Sequence, residues 1–226
     1  MRAPTRIANQ TVVPAPRRLR PEPLICAAVG LGFVCLALAR AAGLLGISTG
    51  ELIVIAIRLF VPLLILRYWL VGGIVAMLAD AFDVIIIELV GMGGFGNHYE
   101  QTDKLLDSYY YCLELTVALK WMSPWVRLPA LMLFGYRLVG AVLFEVLDVR
   151  ALLIVFPNLF EHWWIYCVVV MKWFPSLVPR GWRSTLIPLV LLLIPKMAQE
   201  YLLHVIEAEP WDWMKRTILG PIGIHT

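Results

Sequence analysis

Long apolar runs separated by short polar turns dominate this chain. A helix needs about 20 predominantly apolar residues to cross the hydrocarbon core of a bilayer, and seven runs approach or reach that length. They cover residues 24–45, 51–66, 69–90, 102–122, 128–147, 151–173 and 186–206. Hydrophobic residues make up 61% of the 226 positions and charged residues 15%, whereas about a quarter of the residues in soluble domains are charged. The sequence therefore predicts an all-α, polytopic transmembrane helix bundle of about seven spans, forming one domain over residues 24–206.

The number of spans depends on residues 51–90. Arg58 interrupts the second apolar run, and only the short turn at Arg67 and Tyr68 separates that run from the third. Two full spans are one interpretation of this segment. A re-entrant hairpin is the other, and it gives six full spans.

Lysine and arginine fall mainly on one side of the seven-span arrangement, and positive residues are retained in cytoplasmic loops. We therefore expect a cytoplasmic N-terminus and a bacterial inner (plasma) membrane. Residues 1–23 are basic and proline-rich, as expected of a cytoplasmic arm near anionic lipid headgroups. Residues 207–226 include an aromatic and cationic stretch, 210–216, typical of an interfacial segment. The expected partners are the lipid bilayer and either further copies of the chain or a larger membrane complex, with no nucleic acid.

Eight carboxylates interrupt the apolar runs. An ionisable group at bilayer depth costs at least a few kcal/mol, so such groups usually face a protein interior, water or each other. So many of them predict a polar interior with a function. They are Asp80, Asp83, Glu88, Asp107, Glu114, Glu145, Glu161 and Glu200.

The spacing of the acidic residues predicts one site shared by the third and fourth spans. Asp80 and Asp83 are three residues apart, and Asp103, Asp107 and Glu114 follow at intervals of four and seven, so each set shares a helix face. Consecutive spans normally pack antiparallel, which brings the two faces together. Such oxygen ligands suit Mg²⁺, Mn²⁺ or Ca²⁺, or protons shared between carboxylates. The alternative is that the carboxylates pair with intramembrane cations and hold the bundle together, these cations being Arg58, Lys120, Arg137 and Lys196.

Polar residues on the last three spans form a second set, for which we predict a counter-charge or proton-relay role. On the seventh span, polar residues recur every three or four positions from Lys196 to Glu207, the spacing of one helix face; internal pairing is the alternative to a proton path. Pro157, beside polar neighbours, predicts a kink or a discontinuous helix lining a cavity. The predicted set is Arg137, Glu145, Glu161, His162, Lys196, Glu200 and His204.

The aspartate pattern resembles that of the CDP-alcohol phosphotransferases, membrane enzymes that carry D-x-x-D-G-x-x-A-R followed by G-x-x-x-D-x-x-x-D on neighbouring helices. Here the matching segments are Asp80–Asp83 and Asp103–Asp107. The resemblance implies a divalent metal on these aspartates and a lipid-linked substrate. Val84, Glu88 and Tyr99 stand where the family has glycine, arginine and glycine.

Three functional classes are compatible with these features. The first is a small cation- or proton-coupled transporter or channel. The second is a divalent-metal-dependent membrane enzyme acting on a lipid-linked substrate, and the third is a non-catalytic subunit of a larger membrane complex. A divalent cation is the only cofactor that the residues indicate, because the chain has no P-loop, zinc motif or nucleophile elbow.

Overall fold

The computed structural model describes residues 23–41, 43, 45–83, 99–147, 149 and 151–204. Within these residues the protein is all-helical and contains no strand. The predicted arm up to residue 22, Glu88, the glycine-rich loop at 91–96 and the C-terminal segment 207–226 lie outside the described residues.

Seven helices correspond in order to the seven predicted runs. They are α1 Pro23–Ala41, α2 Thr49–Phe60, α3 Trp69–Ala81, α4 Tyr99–Ala118, α5 Pro124–Leu147, α6 Leu159–Trp173 and α7 Trp182–His204. Short 3-10 turns occupy Val61–Leu66 and Pro175–Leu177, and a short helical segment occupies Ala151–Val155.

Three of the described helical stretches are long and apolar enough to cross a membrane. They are Thr49–Leu66, Pro124–Phe144 and Trp182–Leu202. Helices α1 and α3 are apolar but shorter, and α4 carries several charged side chains. These findings indicate a membrane protein, while the seven-span count and its six-span alternative stay predictions.

Helices α2 and α3 form a tight hairpin. Pro62 lacks the N–H that would continue α2, and the chain passes into the 3-10 turn that ends at Leu66. A side chain on Gly72 would place its Cβ 2.4 Å from the backbone nitrogen of Ile65, so only glycine lets α3 fold back this closely. A 3-10 turn rises about 2.0 Å per residue against 1.5 Å in an α-helix. The segment from Arg58 to the turn has fewer residues than α3 but rises further per residue. Arg58 therefore lies level with the end of α3.

Helix α6 is the centre of the bundle and contacts α3, α4, α5 and α7. Trp163 and Trp164 have no exposed surface. The indole of Trp163 donates to the carbonyl of Val126 at 3.1 Å, and that of Trp164 donates to the carbonyl of Glu114 at 2.8 Å. Both tryptophans are packing residues that also satisfy buried backbone groups.

The outer faces of α5 and α7 are apolar and exposed. Water-exposed apolar surface this extensive is rare on a soluble monomer, whereas a lipid-facing helix requires it. The exposed side chains include Leu128, Met132, Val139, Val142 and Val146 on α5, and Leu186, Ile187, Val190, Leu191 and Ile194 on α7.

Candidate functional site: a buried polar network

A single buried arginine joins the four predicted aspartates. The side chain of Arg58 is 4% exposed. Its Nη1 donates to Asp83 at 2.9 Å and to Asp103. Its Nη2 donates to Asp107 at 2.5 Å and forms an ion pair with Asp80. The structure therefore brings together the predicted four-carboxylate site, with a cation at its centre; we call these five residues the Arg58 cluster.

Local structure explains how the Arg58 cluster forms. Asp103 and Asp107 lie one turn apart on α4 and so present to the same neighbour. Asp80 is in the last turn of α3, and Asp83 follows just beyond that helix. The C-terminal end of a helix carries partial negative charge, so a cation at the end of α3 is stabilised by the helix as well as by the aspartates. Arg58, in the last turn of α2, supplies this cation.

Negative charge exceeds positive charge in this cluster among the described residues. One oxygen each of Asp80, Asp103 and Asp107 lies within 4.8 Å of the others. These side chains are 32%, 30% and 19% exposed, respectively. The three carboxylates face the single positive charge of Arg58, so the group can accept protons or a further cation.

A small pocket between α4 and α5 lies beside Asp107 of the cluster. It has a volume of about 60 Å³, and Asp107, Lys104, Tyr111 and Arg137 contribute to its wall. A water molecule needs roughly 10–15 Å³ of such volume, so the pocket is large enough for several. Asp107 therefore borders a space that can hold water.

Glu161 is the centre of a second polar group, deeper in the bundle. The hydroxyl of Tyr110 donates to Glu161 Oε1 at 3.0 Å. The amide of Asn158 donates to Glu161 Oε2 at 3.1 Å and to the hydroxyl of Tyr111 at 2.6 Å. Glu114, predicted on the same stripe as the α4 aspartates, is not among the carboxylates grouped around Arg58. It lies next to Tyr110 and Glu161 and has no exposed surface.

A break at Pro157 divides the sixth apolar run, residues 151–173, into two helical segments. The short segment ends at Val155 and α6 begins at Leu159, because proline can neither donate the backbone hydrogen bond nor clear the preceding turn. Side chains of α5 satisfy the freed carbonyls: Tyr136 donates to Val155 O at 2.5 Å, and Arg137 donates to Phe156 O at 3.1 Å. The discontinuity predicted from Pro157 is present, and Arg137 supports it.

The polar residues of α7 pair with each other. Lys196 Nζ lies 2.9 Å from Glu200 Oε1 and donates to Gln199 at 3.2 Å. Both charged residues are buried. His162 Nδ1 lies 3.3 Å from the carbonyl oxygen of Asn158. Glu145 lies on α5 and His204 is the last residue of α7, but the description of the structure does not extend to their side chains.

Sequence reasoning missed Tyr110 and Tyr111. A signal was present: Tyr110 follows Asp107 by three residues and precedes Glu114 by four, the spacing of one helix face. In a run of three tyrosines, however, the residue that reaches a buried partner depends on how α4 is rotated against α6.

Comparison with known proteins identifies no relative: no family model matches the chain, and no curated protein or solved structure shows significant similarity to it. The resemblance to the CDP-alcohol phosphotransferases therefore rests on the aspartate spacing alone.

Proposed function

We propose that this protein is a small cation- or proton-coupled membrane transporter or channel, and that the Arg58 cluster is its ion-binding site. The observation that carries the proposal is the charge imbalance. Asp80, Asp103 and Asp107 converge within 4.8 Å of one another around one arginine.

The imbalance favours uptake of positive charge. Two carboxylates 4.8 Å apart repel each other by about 3.5 kcal/mol at an effective dielectric constant of about 20. A proton or metal cation relieves this repulsion, and Arg58 prevents the carboxylates from separating when the ion leaves. A site that is partly neutralised in both states suits reversible binding, which transport requires.

The surroundings also support exchange of the ion. The three aspartates are partly exposed, and Asp107 lines the pocket between α4 and α5. The helix break at Pro157, just before α6, resembles the discontinuous helices near which transporters bind ions. In the proposed arrangement the protein lies in a bacterial inner membrane with a cytoplasmic N-terminus.

A flux assay tests the proposal. Purified protein in liposomes is tested for uptake of protons, Na⁺, K⁺, Mg²⁺ and Mn²⁺, with Asp80→Asn as the test variant. Glu51→Gln is the matched control, because Glu51 is also a buried carboxylate of the hairpin but lies in the first turn of α2. We expect flux with the wild type and Glu51→Gln, and its loss with Asp80→Asn. Flux equal to that of empty liposomes refutes the proposal.

A divalent-metal enzyme acting on a lipid-linked substrate is the second candidate, favoured by the close approach of Asp80, Asp103 and Asp107. Arg58 already bonds to each of these carboxylates, so a metal would have to use the oxygens that Arg58 leaves available. Mn²⁺ binding followed by electron paramagnetic resonance separates the candidates. Tight binding that Asp103→Asn abolishes, without flux in liposomes, favours the enzyme.

A further inference from the structure

Glu114 is the least expected group in the interior. Glu114 is 0% exposed, and neither of its carboxylate oxygens has a hydrogen-bond partner within the described part of the chain. An ionised carboxylate without partners costs far more to bury than a neutral carboxyl group. The protonated form is therefore the form that this environment tolerates.

Glu161 has the opposite environment, although it lies close to Glu114. It accepts a hydrogen bond from Tyr110 on one oxygen and from Asn158 on the other. Two donors to one carboxylate stabilise its ionised form. Burial and the nearby Asp80 disfavour a negative charge on Glu161, and Lys196 and Arg137 favour it.

Tyr110 connects the two glutamates. Its hydroxyl hydrogen is donated to Glu161 at 3.0 Å, which leaves its oxygen available as an acceptor. The Glu114 carboxyl group lies beside this hydroxyl but makes no bond of normal geometry with it. A small rotation of a protonated Glu114 would let it donate to Tyr110.

We infer that Glu114, Tyr110 and Glu161 form a second, internal proton site, separate from the Arg58 cluster, in which Glu114 carries the proton and Glu161 is its acceptor. Transfer is balanced: Tyr110 gives its hydroxyl proton to Glu161 and takes the proton of Glu114. The Glu114 carboxyl group becomes a carboxylate, the Glu161 carboxylate becomes a carboxyl group, and Tyr110 ends unchanged. Passage of the proton from this site to the cluster, through the pocket that Tyr111 and Asp107 line, rests on the proposed function, whereas the proton bound at Glu114 does not.

Infrared spectroscopy tests the bound proton directly. The carbonyl stretch of a protonated carboxyl group is separate from the amide and carboxylate bands. The difference spectrum of wild type minus Glu114→Gln at neutral pH is expected to contain this band, shifted in deuterated buffer. Glu200→Gln is the matched control: Glu200 is also buried, but it forms an ion pair with Lys196, so its difference spectrum should lack the band.

Two further measurements keep the test decisive. If Glu114→Gln does not fold, Glu114→Met replaces it, because an apolar side chain suits a site without hydrogen-bond partners. This variant should lose the same band, since it also lacks the carboxyl group. Tyr110→Phe should shift the Glu114 band, since it removes the neighbouring hydroxyl. A wild-type difference spectrum without a protonated carboxyl band overturns the inference even if flux is observed. Flux absent with the band present refutes the proposed function and leaves the proton site standing.

Discussion

Replacing Arg58 by glutamine removes the only positive charge described in the cluster. Removing one partner of a buried ion pair typically costs about 3–5 kcal/mol, and Arg58 is 4% exposed. For a chain of this length, such a loss lowers the unfolding midpoint by roughly 6–20 °C. Thermal unfolding in a mild detergent, followed by circular dichroism, measures the change.

Asp103→Asn is the contrasting variant, because an excess of negative charge predicts that the loss of one aspartate destabilises the protein much less than the loss of Arg58. The variant loses one attraction to Arg58 and is relieved of two repulsions, from Asp80 and Asp107. At an effective dielectric constant of 20, each repulsion is on the order of 3–4 kcal/mol, and the attraction to Arg58, at ion-pair contact, is about twice as large. The expected change in stability is therefore near zero or favourable. An Asp103→Asn variant as unstable as Arg58→Gln would refute the reasoning, because it would show that the charges are balanced pair by pair.

The deficit of Arg58→Gln should also depend on pH. Without the arginine, mutual repulsion favours protons on the folded cluster near neutral pH, where the aspartates of the unfolded chain have already released theirs. Stability then rises as the pH falls, so the gap to the wild type should narrow in mildly acidic buffer. A gap that stays constant between neutral and acidic buffer would argue against repulsion as its cause.

Two other predictions concern single side chains, each with thermal unfolding as the measurement. Glu114→Leu should leave the stability unchanged or raise it by about 1–3 kcal/mol, since it removes a buried group that has no hydrogen-bond partner among the described residues. Glu161→Leu should lower the stability, because it deprives Tyr110 and Asn158 of their acceptor. Equal effects of the two variants would contradict this. Gly72→Ala should destabilise the hairpin by about 1–3 kcal/mol, because its Cβ would collide with backbone atoms. Gly135→Ala, which meets nothing within 4 Å, should be neutral or gain about 0.5–1 kcal/mol, and a loss there would mean that helix α5 has an unseen close neighbour.

The sequence was sufficient to locate the helices and one of the two polar groups. Apolar runs determine where helices form, because hydrocarbon or a protein core demands them. The spacing of Asp103 and Asp107 places both on one face of α4, and the short connection between α2 and α3 makes their antiparallel packing unavoidable. These relations follow from spacing and connection length, so they can be deduced without coordinates; the contacts of Arg58 with Asp103 and Asp107, 45 and 49 positions away, cannot.

The second polar group depends on relations that are not local. Tyr110 and Glu161 are 51 positions apart, and their contact requires a particular rotation of α4 against α6. The bounds of the break at Pro157, from Val155 to Leu159, also depend on packing, since a proline within an apolar run leaves the position of the break open by several residues. Packing decides both features, and spacing does not encode it.

The hairpin has a consequence for how the chain enters a membrane. Arginine at the centre of a helix costs about 2.5–3.5 kcal/mol on insertion scales, so Arg58 offsets part of the apolar gain when Thr49–Leu66 inserts alone. Its counter-charge, Asp80, emerges from the ribosome only about twenty residues later. Gly72 allows the two arms to close directly on each other. We therefore expect the arms to partition as one neutralised unit, so that biogenesis waits for α3 before α2 is committed to lipid.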